Sequence, residues 1–315
     1  MLSATAATVR SRRWHLARRR MSRRAAPYLL LAPVVVVLGA ILGYPIVQVV
    51  ELSLQRYGLF ELIQHHGVYI GLSNFSSVLS DSVFWSTLER TIIFTIANVG
   101  LTVVGGTLIA LLLVKVSTWV RLLLSGGLVL VWSMPQVVAV QIWSWMTNYQ
   151  NGVLNNVLSD LGLGNFFQHN WYTTTFSQYM MVTSLIVWAG IPFVTITTYA
   201  ALSGVPRELV EAAQVDGARF WRIFKDVTMP VLAPVLLILT SLSIIWDFGA
   251  FTQPYLLIGA GQQNPSNYLM SVYLFVEGYG QTNFGRGAAI AILMLAIVAL
   301  MSIVYVRQTL RAGEE

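Results

Sequence analysis

Apolar residues fall in six blocks, at about 28–54, 91–114, 120–145, 179–202, 230–258 and 287–306, divided by polar segments of unequal length. Each block reaches the roughly 20 residues that a helix rising about 1.5 Å per residue needs to cross a ~30 Å hydrocarbon core. Lipid offers no water to unpaired backbone groups, so each block is expected to be helical. The short alternating segments of a closed barrel do not occur. The pattern predicts an all-α membrane protein with six transmembrane helices, preceded by a polar tail over 1–26. Pro135 and Pro192 fall inside blocks and are expected to kink their helices. Gly39 and Gly43 have the spacing of a close helix contact.

The polar segments differ in kind. Those at about 55–90 and 146–178 are long and rich in Ser, Asn, Gly and aromatics, and the second predicts a short surface helix over 152–161 after the Asn151-Gly152 turn. The segment at about 259–286 is rich in Gly, Gln and Asn. On the other side lie a short loop, 115–119, and a long charged segment, 203–229. No internal repeat stands out, which removes the usual signature of an inverted-repeat secondary transporter.

Charge orients the spans. Only 10% of residues are charged, against about a quarter in soluble domains. The net +6 resides in the tail, where Arg10, Arg12, Arg13, Arg18, Arg19, Arg20, Arg23 and Arg24 precede the first block. Such a tail fits anionic membrane lipid and argues against nucleic acid as a partner. With the tail in the cytoplasm, Lys115, Arg121, Arg207, Arg219, Arg222, Lys225, Arg307 and Arg311 also lie inside. Only Arg56, Arg90 and Arg286 remain outside. Both termini are therefore expected to be cytoplasmic. The Ser11-Arg12-Arg13 stretch faintly resembles a twin-arginine export signal, but the block after it is long and lacks a small-x-small cleavage site, so it reads as an uncleaved span.

Candidate chemistry is sparse. The chain has no cysteine, and His15, His65, His66 and His169 lie outside the apolar blocks, so no metal site is expected. Asp247 is the only acidic or basic residue well inside a block. Thr240, Ser243 and Asp247 share a face of the fifth helix, with Trp246 and Phe251 alongside. Two readings stand for Asp247: an acceptor for ligand hydroxyls on a path through the membrane, or a structural hydrogen bond to a neighbouring span. Gln136, Gln141, Trp188 and Thr195 are weaker path candidates, and for Trp188 and Thr195 an aromatic-belt or packing role is the favoured reading.

The 203–229 segment is a charged amphipathic stretch, with the small residues Ala212, Ala213 and Gly217 making a flat surface among Glu208, Glu211, Asp216, Arg219, Arg222 and Lys225. By composition it is a solvated loop helix or a docking element. Glu211-Ala212-Ala213, then Asp216-Gly217-Ala218, with Val227, Met229 and Pro230 at matching spacing, resembles the EAA loop of ABC importer permeases. The family usually has Ile and Leu where this chain has Val227 and Met229. Pro27 to Pro33, Tyr44-Pro45-Ile46, Gly71 to Phe75, Trp143-Ser144-Trp145, Gly152 to Asn155 and Gly285 to Ala289 are similar to the binding-protein-dependent sugar permeases, of maltose, glycerol-phosphate and chitobiose type. A Gly-Gly-Pro common in that group after the fifth span is replaced here by Gly259 to Pro265.

The resemblance implies an ABC type I importer permease fold and a transport subunit rather than an enzyme. It implies that Glu211, Ala212, Ala213, Asp216, Gly217 and Phe220 contact a cytoplasmic ATPase through a coupling helix. The implied partners are a second, non-identical permease, two ATPase subunits and an extracytoplasmic sugar-binding protein. The chain has no G-x-x-x-x-G-K-[ST] loop, so ATP and Mg are expected on the ATPase subunits and no cofactor on this chain. A permease for glycerol phosphate, or an ion-coupled transporter built on Asp247, are the alternatives. The spans supply no cation for a phosphate, which favours a neutral sugar.

Overall fold

A computed structural model describes the backbone of residues 4–259 and 264–312, and the side chains from residue 28 onward apart from those of 29, 207 and 308–312. The tail arginines of the sequence argument, and most of the 259–265 replacement, therefore lie outside the described side chains. The chain is helical almost throughout. α1 (Ala4–Ser53) carries the basic tail and the first span as one helix. A two-residue ribbon, β1 (Gln55–Arg56) against β2 (Val68–Tyr69), encloses α2 (Leu59–Gln64) and is followed by α3 (Ser73–Leu79). Asn74 ties this loop to the end of α1, its Nδ2 donating to the Ser53 and Gln55 carbonyls at 2.9 and 2.8 Å.

α4 (Ser82–Lys115) begins well before the apolar block at 91, because Asp81 caps it by accepting from the Val83 amide. Its partner is α8 (Thr175–Leu202), and the seam between them is the centre of the bundle. Thr91, Thr95, Asn98 and Thr102 on α4, with Thr195 and Thr198 on α8, are fully or almost fully buried there. Pro192 sits within α8 without ending it.

The third block is not one straight span. α5 (Thr118–Trp132) and α6 (Gln136–Met146) meet at about Pro135 with a bend of 100°. Proline has no N–H to continue the helix and drives the preceding residue out of the α region, so the sequence-expected kink is here a break. At 15 residues α5 is too short to cross alone. The fifth block also divides. α11 (Met229–Phe248) ends at Gly249, and a separate short helix, α12 (Thr252–Ile258), packs on α6 and α8. The 230–258 block is thus divided into two helices by the break at Gly249. Among the described residues five helices are long and apolar enough to cross, and six if the bent pair counts as one.

The Gly-, Gln- and Asn-rich segment beyond residue 259 is less loop-like than its composition suggests. Leu269, Met270, Val272 and Tyr273, around α13 (Met270–Phe275), are among the most buried residues of the chain. Arg90 donates to the Pro265 and Tyr268 carbonyls and Thr91 accepts from the Met270 amide, so the segment is stapled to α4. A π-helical turn, Val276–Gly280, leads to α14 (Phe284–Ala312), which supports α1. Gly39 and Gly43 meet nothing within 4 Å, so no helix among the described residues fills the expected close contact. The helix expected at 152–161 is α7 (Val153–Asp160), and Gly152 precedes it where a Cβ would stand 2.7 Å from the Met146 carbonyl.

Candidate functional site

The two chain breaks abut. Met134 and Gln136 at the α5–α6 break, Trp246 to Gln253 at the end of α11, and Leu185 to Phe193 on α8 enclose a cavity of about 410 Å³. Its walls are aromatic. Trp132 stacks on Phe193 at 5.6 Å between ring centroids, and Phe193 meets the edge of Trp246 at 5.4 Å. Trp188 packs on Trp143 at 4.9 Å, and Trp143 is held by donating from Nε1 to Ser184 Oγ at 3.1 Å. Ser271 fixes the α11 break itself, donating to the Ala250 carbonyl at 2.5 Å.

Asp247 is the polar centre of this cavity. It is 8% exposed, and its Oδ2 is buried with no hydrogen-bond partner. It also lies in the last turn of α11, where the helix dipole disfavours an anion. Burying an unpaired carboxylate oxygen is costly, and no donor among the described residues reaches Oδ2. The group is therefore placed to accept from donors brought by something else.

Of the path candidates, Asp247, Trp246, Trp188 and Gln136 come together in the cavity. Ser243 is buried one turn below Asp247 and does not line it. Gln141 is exposed on the far side of the break. Thr195 is fully buried in the α4–α8 seam, because its stretch of α8 lies against Gly106, whose added Cβ would reach 3.2 Å from the Thr195 amide. Sequence reasoning missed Trp132, Phe193 and Gln253. Phe193 follows Pro192 and Trp132 precedes the Pro135 break, so aromatics beside in-span prolines were the available signal.

The second constellation lies at the other end of α8 and α11, roughly 27 Å from Asp247 for the 18 helical residues between Met229 and Asp247. α9 (Arg207–Val215) starts after Pro206, with Glu208 in its first turn complementing the dipole. It ends in a Schellman motif: the Ala218 amide donates to Ala213 O at 2.9 Å, and the Gly217 amide to Gln214 O at 3.0 Å. Gly217 has φ of +77°, the left-handed conformation this cap requires. That explains the glycine two residues after Val215. α10 (Phe220–Ile223) and a π-helical turn, Phe224–Thr228, then run into α11.

Glu211, Ala212, Asp216, Gly217 and Phe220 are exposed, and Ala213 is half-buried. No described side chain of α9 is buried. Leu209, Val215 and Trp221 stand out at 53%, 87% and 74% exposure, large apolar groups that the described residues leave largely uncovered. Such a surface fits a protein partner. No group of three metal-ligating side chains occurs among the described residues, and His65 and His66 are exposed in the α2–β2 loop.

The geometry agrees with comparison to known proteins. The diacetylchitobiose uptake system permease protein DasB of Streptomyces coelicolor is 42% identical over 290 residues, 92% of this chain and 88% of the relative. The trehalose/maltose transport system permease protein MalF of Thermococcus litoralis is 31% identical, over 89% of this chain and 92% of the relative. The crystal structure of a bacterial alginate ABC transporter, in complex with an alginate pentasaccharide-bound periplasmic protein, superposes with a TM-score of 0.77 at 19% identity, covering 93% of this chain and 97% of that one. Residues 102–312 match the family described as binding-protein-dependent transport system inner membrane component. The chain belongs to that family, the membrane permease subunits of ABC importers.

Proposed function

We propose that this chain forms one half of the translocation path for a neutral di- or oligosaccharide. Its partners are a second, non-identical permease, two cytoplasmic ATPase subunits that bind ATP and Mg, and an extracytoplasmic sugar-binding protein. The chain is a transport subunit, and ATP hydrolysis lies with separate ATPases. Both termini and α9 face the cytoplasm, a placement supported by the concentration of Lys and Arg on that side. Glu211 to Gly217 dock in the ATPase, and ATP-driven closure there rocks α8 and α11, which also carry the cavity.

The observation that carries the substrate class is the unpartnered Asp247 carboxylate in an aromatic-walled cavity. Pyranose rings present apolar faces to Trp188, Phe193 and Trp246, and hydroxyl donors to Asp247. No Lys or Arg among the described residues lines the cavity, so a phosphate or carboxylate ligand would meet Asp247 without compensation. Relatives include permeases for diacetylchitobiose and for trehalose/maltose, which are neutral, and for sulfoquinovosyl glycerol, which is not. The cavity favours the first kind. An ion-coupled mechanism on Asp247 has no place in a family that works with ATPases.

The test is a detergent pull-down of the tagged chain from native membranes, with Glu211→Ala and Gly217→Pro beside the wild type. An ATPase and a second permease copurify with the wild type, and the ATPase is lost from the variants. An unchanged ATPase yield from both variants removes the coupling role of α9. Uptake of diacetylchitobiose against sulfoquinovosyl glycerol then tests the substrate class, and preference for the anionic sugar would overturn it.

A further inference from the structure

We propose that the hairpin joining α4 to α5, residues 115–121, clamps both ends of the coupling segment, with Lys115 and Arg121 as its positioning residues. The inference rests on the coupling role of α9 argued above and adds a second element to it.

α9 does not rest on a packed core. Between it and the bundle lies a cavity of about 750 Å³, with Val210, Glu211 and Gln214 on one wall and Leu111, Val114 and Leu202 on another. With no buried side chain among its described residues, α9 is joined to the spans by the chain entering from α8 and by the chain leaving into α10. The hairpin grips each of these. The Arg121 guanidinium lies 5.5 Å from the ring centre of Tyr199, in the last turn of α8. The Lys115 ammonium lies 4.6 Å from the ring centre of Phe220, at the start of α10. Tyr199 and Phe220 bracket the whole segment, so two cations seven residues or fewer apart hold its entry and its exit.

The hairpin itself is rigid enough to do this. Arg121 donates from Nε to the Leu113 carbonyl at 2.9 Å and from Nη2 to the Val116 carbonyl at 3.0 Å, closing the C-terminus of α4. Lys115 has no carboxylate within ion-pair distance among the described residues, so its ammonium is committed to the Phe220 face. A motion imposed on α9 therefore reaches α4 and α5 as well as α8 and α11, and the tilt of α9 is referenced to the bundle by the hairpin.

The chain has no cysteine, so two spin labels can be placed in it and the labelled chain then assembled with its partners, free of background from partner thiols. Ser117→Cys and Glu208→Cys report the distance from hairpin to coupling helix in the purified complex with its ATPase and second permease. One narrow distance is expected in the parent and in Lys115→Arg, which keeps the cation over the ring. Lys115→Met is expected to increase a second, longer population about two- to five-fold, the shift that loss of a surface cation–π contact produces. Retention of the ATPase on the same complexes, with Glu211→Ala alongside, reports the coupling role separately. An unchanged distance in Lys115→Met, with the ATPase lost from Glu211→Ala, removes the clamp and leaves the coupling helix. If the distance shifts but Glu211→Ala keeps its ATPase, the coupling role fails and the clamp loses its proposed purpose.

Discussion

Arg286, in the first turn of α14, donates through Nη2 to Asp81, the residue that caps α4 and stands 205 positions earlier in the chain. The same guanidinium donates to Tyr273 Oη at 3.1 Å and to Ser77 Oγ at 3.2 Å, and its Nε stands 3.1 Å from Glu277 Oε2. Tyr273 in turn donates to Asp81 at 3.1 Å. Burial, with the neighbouring carboxylates assisting, pushes its phenol up to about 12, so it remains a donor. One planar fork thus joins α3, α4, α13 and α14.

Only an arginine can make that many contacts in fixed directions, since a lysine is a point charge. Arg286→Lys and Arg286→Met are both expected to lower the unfolding midpoint of the detergent-purified chain. The loss corresponds to about 1–3 kcal/mol, less than for a fully buried pair because Arg286 and Asp81 keep some solvent contact. Adding Asp81→Asn to Arg286→Met should cost little more, as both remove the same network. A lysine variant as stable as the wild type would show that the fork is dispensable.

Glu277 gives this network a pH dependence. Burial holds its carboxyl above the ordinary 4.5, against the opposing pull of the Arg286 guanidinium. A carboxyl with a raised native pKa binds more protons folded than unfolded. Its contribution is therefore complete below about pH 4.5 and is lost as pH rises through the native value. Glu277→Gln keeps an acceptor for the Gln281 amide, which lies 3.1 Å away in the parent. The variant should match the wild type near pH 4 and unfold at a higher temperature near pH 7. A wild type that gains on the variant as pH rises would show that the Arg286 pair outweighs burial.

The spans were legible because their signal is summed over some 20 residues, and Asp247 because a lone charge in an apolar block is conspicuous. The breaks at Pro135 and Gly249 were not. A proline or glycine in a membrane helix is compatible with a mild kink or a full reversal, and neighbouring helices decide between them. Pro192 remains inside α8 while Pro135 ends α5. The burial of Met270 to Tyr273 was hidden for a related reason, since Ser, Asn and Gly nearby read as loop until Arg90 and Thr91 satisfy the backbone. Thr195, open to either role in the sequence, lies buried in the α4–α8 seam, since small polar residues can serve a helix seam as well as a path.

That seam has a specific fit. Gly190 on α8 faces Thr102 on α4 so closely that an added Cβ would stand 2.9 Å from the Thr102 methyl, with the other Thr102 atoms at 3.6 Å or more. Gly190→Ala is expected to destabilise the chain by about 1–3 kcal/mol, the usual range for overpacking. Thr102→Ser removes the clashing methyl and keeps the hydroxyl. The pair Gly190→Ala with Thr102→Ser should therefore recover most of the loss in thermal unfolding. If the double variant is no better than Gly190→Ala alone, the contact is not the cause.

Asp247 separates stability from transport in a way no packing residue would. Its buried Oδ2 has no partner among the described residues and the group sits at the unfavourable end of α11, so removing the charge should relieve the fold. Asp247→Asn and Asp247→Leu are both expected to unfold at higher temperature than the wild type. Transport should move the other way. A hydrogen bond from a sugar hydroxyl to a charged acceptor contributes about 1.5–3 kcal/mol against about 0.5–1.5 for a neutral one, so Asp247→Asn should lose roughly ten-fold in diacetylchitobiose uptake efficiency and Asp247→Leu more. The complex should still assemble with its ATPase in both cases, because α9 lies at the far end of the helix. Lower stability in Asp247→Asn would mean that the carboxylate bonds a neighbouring span in the assembled transporter. Unchanged uptake in Asp247→Leu would place the sugar elsewhere.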